Sequence, residues 1–403
     1  MDTSIKSFAK SRIFELLSIL CRQFLTATLF IVAFGILADR LDSADYVKLI
    51  VIYNLTILSC GVALLGYPTI LQHRFSKEFV DEEKLRSSAF LIVLISILIA
   101  IIACFLVAEL NNIDEKFPLF MWMIFYTLFT QLLMMCFGLG KIIAINISEI
   151  LGSLILFFGV YFSSVYTLGG FFWVLAVSYI LRSLVLIFQI LLWNATRSRS
   201  VNNSESLQKD DDLPFWRTSF ISASTIVLFR LIVPIAEASQ ISKEKILNLV
   251  LYWPMIDRLL TLTTNLNAII FRFISTNRIN TALLRIIHLG IAIISPIAFV
   301  AIWAIYSSVM ELNFSLDMTY ILVLILIAGW SFRAFQINTL VARSMTRVIF
   351  YSSFIQLVWI LVLWVLAYYG YLFGVNQALI FILMSIYGFC LLSAVWSQKA
   401  DKG

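Results

Sequence analysis

The chain has 403 residues, of which 61% are hydrophobic and only 13% charged, and its mean hydropathy is +0.97. Soluble domains run roughly 45–50% apolar and about 25% charged, so too few charges exist here to cover a water-exposed surface. A soluble enzyme, a disordered chain and a nucleic-acid binder are excluded; the excess of 29 Lys and Arg over 23 Asp and Glu reads instead as basic residues kept in the cytoplasmic loops of a polytopic membrane protein.

A hydrocarbon core of about 30 Å takes roughly 20 apolar residues at a rise of 1.5 Å each. Cutting the chain at polar, Pro and Gly breaks predicts an all-α protein with twelve spans, at about 14–37, 46–70, 87–109, 117–140, 141–162, 170–193, 215–236, 246–270, 281–309, 318–342, 347–369 and 374–396. The first run continues as a span with no small-residue cleavage site behind it, so it is not read as a cleaved leader. Only Gly138, Gly140 and Lys141 separate spans four and five, which leaves eleven spans as the alternative.

Taken in chain order, the spans carry an unusual set of charges. Span one holds Arg22 on a stripe with Glu15, Ser18 and Thr26, about 13 Å from the cytoplasmic face. Span five carries Glu149, sharing a helical face with Asn146 and Ser153, and span six carries Arg182, with Ser178 at i−4 and Gln189 at i+7. The polar stretch 194–214, ending in Asp210, Asp211 and Asp212, reads as a solvated linker. It divides the chain into six-helix halves, 1–193 and 215–403. Span seven then holds Arg230, with Glu237 at i+7 as a local partner.

Span eight holds Asp257 and Arg258. Arg258 lies about 18 Å from either end and shares its face with Thr261 and Asn265, while Asp257, next in sequence, points elsewhere. Pro254 can kink the helix one turn earlier. Span ten contributes Arg333, with Gly329 at i−4 and Gln336 at i+3. Five in-span arginines would cost on the order of 12–17 kcal/mol in lipid, so they are expected to face water, a partner or a ligand. Against the deep acids Asp257 and Glu149 they leave a cationic bias of about +3, and such a lumen attracts anions.

The remaining chemistry is sparse. The five cysteines, Cys21, Cys60, Cys104, Cys136 and Cys390, lie in apolar runs without metal-ligand spacing and read as small buried residues. His73 and His288 stand alone. No metal site, cofactor box, phosphate loop or nucleophile–His–acid set is predicted. Trp193, Trp216, Tyr369 and Trp396 read as interfacial anchors.

With the N-terminus inside, five basic residues fall on the outer side (Arg40, Lys48, Lys116, Lys243 and Lys245), five lie within spans and the other nineteen are cytoplasmic. Both termini are therefore expected in the cytoplasm. Six spans on either side of the linker enter the membrane in the same orientation, the pattern of a transporter built from parallel repeats. A faint echo agrees: Ala38-Asp39 precedes Arg74-Phe75 by 36 residues, and Ala236-Glu237 precedes Arg272-Phe273 by 36.

The segment ADRLDSADYVKLIVIYNLTILSCGVALLGYPTILQHRFS, with Tyr46 near the start of span two, Gly66 near its end and Arg74 shortly after, resembles the opening of bacterial polysaccharide (O-antigen) flippases. Val47 stands where a glycine often follows the aromatic. These proteins form a family of the multidrug/oligosaccharidyl-lipid/polysaccharide exporter superfamily, and the whole plan of the chain is similar to theirs. The resemblance implies movement of undecaprenyl-diphosphate-linked oligosaccharide from the inner to the outer leaflet of the bacterial cytoplasmic (inner) membrane by alternating access. It also implies contact with membrane lipids, and leaves open coupling to H+ or Na+ and interaction with polysaccharide-assembly proteins. No cofactor and no nucleic acid are implied.

Three rivals are weighed on residues. GILADRLD (Gly35–Asp42) imitates a facilitator-type loop motif but follows span one on the outer side. A multidrug/cation antiporter favours buried carboxylates, and the balance here runs the other way. A membrane sugar polymerase or ligase needs a sizeable outer loop, and none exceeds roughly a dozen residues.

Overall fold

The computed structural model describes residues 2–64, 68, 71–72, 82–111, 113, 115–162, 167–196, 230–238, 246–247, 249–261, 281–309, 318–342, 345–369 and 375–400, with side chains from residue 18 onward except at 82–90, 92, 110, 193–196, 281–288, 291, 309, 338, 341–342, 346, 368, 375 and 399–400. The protein is all-helical. Its helices are α1 (Asp2–Arg40), α2 (Ser43–Leu64), α3 (Glu82–Leu110), α4 (Lys116–Leu139), α5 (Ile142–Phe162), α6 (Leu168–Thr196), α7 (Ile232–Ala238), α8 (residues 249–261), α9 (Thr281–Val309), α10 (Met318–Ala342), α11 (Thr346–Tyr368) and α12 (Val375–Ala400). Among the described residues eight helices are long and apolar enough to cross a bilayer, and Val93–Glu109 and Ala292–Ser308 form shorter apolar stretches of α3 and α9. The protein is a multi-pass membrane protein. The linker beyond residue 196, residues 215–229 and 262–270 of predicted spans seven and eight, Gly66, His73, Arg74 and the side chains of Glu15, Trp193 and His288 lie outside the described residues.

Spans four and five are separate helices. The chain turns at Gly140, whose φ of 70° lies in the left-handed region that glycine enters without a Cβ clash. The Gly140 amide donates to the Phe137 carbonyl at 3.1 Å and the Lys141 amide to the Cys136 carbonyl at 2.9 Å, the Schellman closure of a helix end. α5 then starts at Ile142.

Contacts between helices repeat with an offset of six. α3 packs on α4, α4 on α5 and α6, α5 on α6, and α1 on α5; α9 packs on α10, α10 on α11 and α12, α11 on α12, and α7 on α11. The principal contacts between the first six helices and the last six are α2 with α7 and α1 with α9. Exposed Leu, Ile and Phe side chains line the outward faces of α3, α5, α6, α9 and α11, as lipid-facing surfaces require.

Candidate functional site

The α5–α6 contact is built from small residues that bring the backbones together. Ser178 Oγ donates to the Gly152 carbonyl at 2.8 Å, and Ser148 Oγ donates to the Arg182 carbonyl at 2.9 Å. Into this contact α6 inserts Arg182, 2% exposed. A Cβ on Gly152 would stand 1.9 Å from Arg182 Nε, so only glycine leaves room for the side chain. Arg182 Nη2 donates to Ser153 Oγ at 3.1 Å, Nη1 lies 3.5 Å from Glu149 Oε2, and the guanidinium stacks 4.7 Å from the centre of the Tyr179 ring. Glu149, Asn146 and Ser153 do share one face: Ser153 meets Arg182, and Asn146 Nδ2 donates to Ser18 Oγ of α1 at 3.4 Å.

A second group ties α2 to α7 and α8. Arg230, just before α7, pairs through Nη2 with Asp257 Oδ1 and donates through Nη1 to Asn54 Oδ1 at 3.2 Å. The Tyr53 hydroxyl donates to Asp257 Oδ2 at 3.3 Å and accepts from Arg258 Nη2 at 3.4 Å. Arg258 lies over the Phe30 ring of α1, its guanidinium carbon 3.5 Å from the ring centre. Tyr53 stacks on Trp122 at 5.5 Å, Trp122 on Phe172 at 5.8 Å, and Phe34 meets Tyr53 edge-on at 5.6 Å. An aromatic column thus runs from α1 through α2 and α4 to α6 behind the charges.

Arg22 of α1 lies within electrostatic reach of Glu149 and Arg182, and Glu149 lies within reach of Arg258, which links the two groups. It is 2% exposed, and among the described residues Nε, Nη1 and Nη2 all lack a hydrogen-bond partner. Arg22, Arg182, Arg230 and Arg258 with Glu149 and Asp257 therefore form one buried cluster with a formal excess of two positive charges. Arg333 lies apart, 1% exposed, among side chains of α10, α11 and α12.

Several expectations need correction. Glu237 is exposed and is not the partner of Arg230; Asp257, from another helix, takes that place. Asp257 and Arg258, although adjacent, converge on Tyr53, and Arg258 Nε stands 3.9 Å from Asp257 Oδ2. Glu149 lies 3.5 Å from Arg182, and Asp257 is the carboxylate 3.9 Å from Arg258 Nε. Arg22 and Arg182 are each 2% exposed and Asp257 3%, whereas Arg230 and Arg258 are partly exposed. Arg333 does not join the cluster, which lowers its bias from about +3 to +2. Thr261 spends its hydroxyl on the Asp257 carbonyl of its own helix at 2.8 Å. Cys21 is exposed, unlike the other four cysteines. Tyr53 and Asn54 were not predicted; the one signal for them is a polar pair in the middle of an apolar span.

Among the described residues no three His, Cys, Asp or Glu side chains converge as a metal site. The cluster can bind and release an anion by exchanging guanidinium partners, and it holds no nucleophile placed beside a base.

No known protein-family pattern matches the chain, and no curated protein is measurably similar to it. Its fold has close counterparts among solved structures. One is an outward-facing multidrug resistance MATE family transporter of the MOP superfamily, with a TM-score of 0.63, 12% identity, and 96% of this chain and 95% of that one covered. Others are MATE in complex with MaL6 (TM-score 0.51, 12% identity, 96% and 95% covered) and MATE in complex with Br-NRF (0.51, 14%, 96% and 97%). At these identities the likeness speaks for the fold, and the chain folds as the MATE transporters of the MOP superfamily do.

Proposed function

We propose that the protein is a flippase that carries undecaprenyl-diphosphate-linked oligosaccharide from the inner to the outer leaflet of the bacterial cytoplasmic membrane by alternating access. The observation that carries this reading is Arg22. It is a buried guanidinium without an acceptor among the described residues, in a cluster whose arginines outnumber its carboxylates by two. A buried, unpaired charge is costly, and a diphosphate supplies both the missing charge and the acceptors that a planar fork prefers. Arg22 is the free anchor; Arg182, Arg230 and Arg258 are held ready by Glu149 and Asp257 and turn to the substrate as the helices part.

Supporting this are the repeated helix pairing and the 19-to-5 distribution of basic residues, which favour parallel halves 1–193 and 215–403 joined by a cytoplasmic linker, 194–214, with both termini cytoplasmic. H+ or Na+ coupling and association with polysaccharide-assembly proteins belong to the same reading. A multidrug/cation antiporter would share the fold, but a cationic cluster repels its substrates.

The test is reconstitution in vesicles with a fluorescent undecaprenyl-diphosphate saccharide in both leaflets, followed by a membrane-impermeant quencher. The wild type should render the inner pool accessible; Arg22→Gln and Arg258→Ala should not, while inserting normally. Scrambling equal to protein-free vesicles in the wild type, or full activity in Arg22→Gln, overturns the reading. Export of a lipophilic cation in its place establishes the antiporter.

A further inference from the structure

Arg333 poses a separate problem. It is among the largest side chains buried to within 2% of completely, on α10. Its Nε donates to Gln356 Oε1 of α11 at 3.0 Å, and Gln356 Nε2 donates onward to the Ser385 carbonyl of α12 at 3.3 Å. The guanidinium carbon lies 4.6 Å from the centre of the Phe389 ring and 5.1 Å from that of Trp330. The ionisable group facing it is the Cys390 thiol. Neither a carboxylate nor a salt bridge is present at Arg333 among the described residues, and its Nη2 has no acceptor.

An arginine in a protein does not shed its proton. The two rings supply about 0.5–2 kcal/mol each by cation–π attraction, and burying an unpaired ion costs several kcal/mol after relaxation. One neutral acceptor does not close that gap. A lipid phosphate would leave the guanidinium open to the bilayer surface, which its burial excludes. On α11, Ser352 and Ser353 stand at i−4 and i−3 from Gln356 and so share its face. Both are fully buried, and both hydroxyls lack partners. A guanidinium N–H and two free hydroxyls on neighbouring helices are the donors that a small, weakly hydrated anion requires.

We propose that Arg333, with Ser352 and Ser353, binds a chloride ion inside the last four helices, independently of the cluster at Arg22, Arg182, Arg230 and Arg258. Gln356 orients the guanidinium without completing it. The ion locks α10 to α11 and α12 by supplying a charge that none of the described side chains there provides.

The experiment uses the full-length protein in phospholipid-free detergent, exchanged between sodium chloride and sodium gluconate at one ionic strength. Chloride from zero to 300 mM should raise Tm by about 2–4 °C, a binding-linked shift for a chain of this size, and 35Cl line broadening should saturate over the same range. Arg333→Gln should abolish both effects, and Arg347→Gln, at an exposed arginine of α11, should leave both unchanged. Gln356→Glu guards against a variant that merely misfolds, because it places a carboxylate where the amide oxygen now meets Nε. It should fold in gluconate at least as stably as the wild type does in chloride, and lose its chloride response. A wild type indifferent to chloride in both measurements overturns the proposal, as does an unchanged response in Gln356→Glu or Arg333→Gln.

Discussion

Two buried Arg–carboxylate contacts in this protein look alike and are built differently. Arg182 and Glu149 sit on α6 and α5, helices that also share two serine-to-carbonyl hydrogen bonds and a glycine cut to fit the arginine. Arg230 and Asp257 sit where α2 meets α7 and α8, held by hydrogen bonds of 3.2–3.4 Å to Asn54 and Tyr53. Their partners on α2 are some 176 to 205 residues away in the chain. The first contact is embedded in a packed unit; the second fastens two units through a few long bonds between polar tips. The second, the seam, is the contact that the proposed function expects to open first, since it involves no packed pair like α5 and α6.

The comparison breaks hardest at Arg182. Arg182→Ala leaves Glu149 buried and unpaired, and stability should fall by about 3–5 kcal/mol, read as a lower Tm and a poor yield of folded protein. Adding Glu149→Ala should recover most of the loss; no recovery would mean that Glu149 is already neutral or elsewhere satisfied. Next comes Gly152→Ala, whose methyl displaces the Arg182 side chain, at about 1–3 kcal/mol, again by thermal unfolding.

The seam should answer differently. Tyr53→Phe removes two long hydrogen bonds worth about 1 kcal/mol together and should leave Tm nearly unmoved. A cysteine at Thr261 should then react about 5-fold faster with a polar thiol reagent, the equivalent of that 1 kcal/mol in the opening equilibrium. A cysteine at Ser153 should react at its original rate. Equal acceleration at both positions would erase the distinction between packed unit and seam. The smallest effect is expected from Thr261→Val, within about 0.5 kcal/mol in stability and near wild type in transport, because its hydroxyl is turned to its own backbone. A strong transport defect there would restore the substrate-facing stripe that its spacing from Arg258 suggests.

The bounds of the spans that the described residues cover were legible to within a few residues in most cases, because a bilayer demands about 20 apolar residues and little else imitates them. The face uniting Asn146, Glu149 and Ser153 was legible from helical spacing alone, and the structure uses all three. Partners were not. Arg230 and Glu237 share a face seven residues apart, yet two turns are about 10.5 Å of rise, and Asp257 on a neighbouring helix comes closer. Periodicity says which way a side chain points along its own helix and nothing about which helix stands opposite. Tyr53 and Asn54 were missed for the same reason, and Arg333 was counted with the other arginines because depth in the membrane does not reveal lateral position.

The order in which the helices are made gives the α6 wedge a further meaning. α4 and α5 leave the ribosome joined by the single turn at Gly140, yet they touch each other little, and α6 fills the space between them. Until α6 arrives, Glu149 has Arg22 within electrostatic reach but not its Arg182 contact, and the gap beside Gly152 is unfilled. Inserted in chain order, α6 would meet that slot, the carboxylate and the Ser153 hydroxyl already in place, which lowers the cost of burying its arginine.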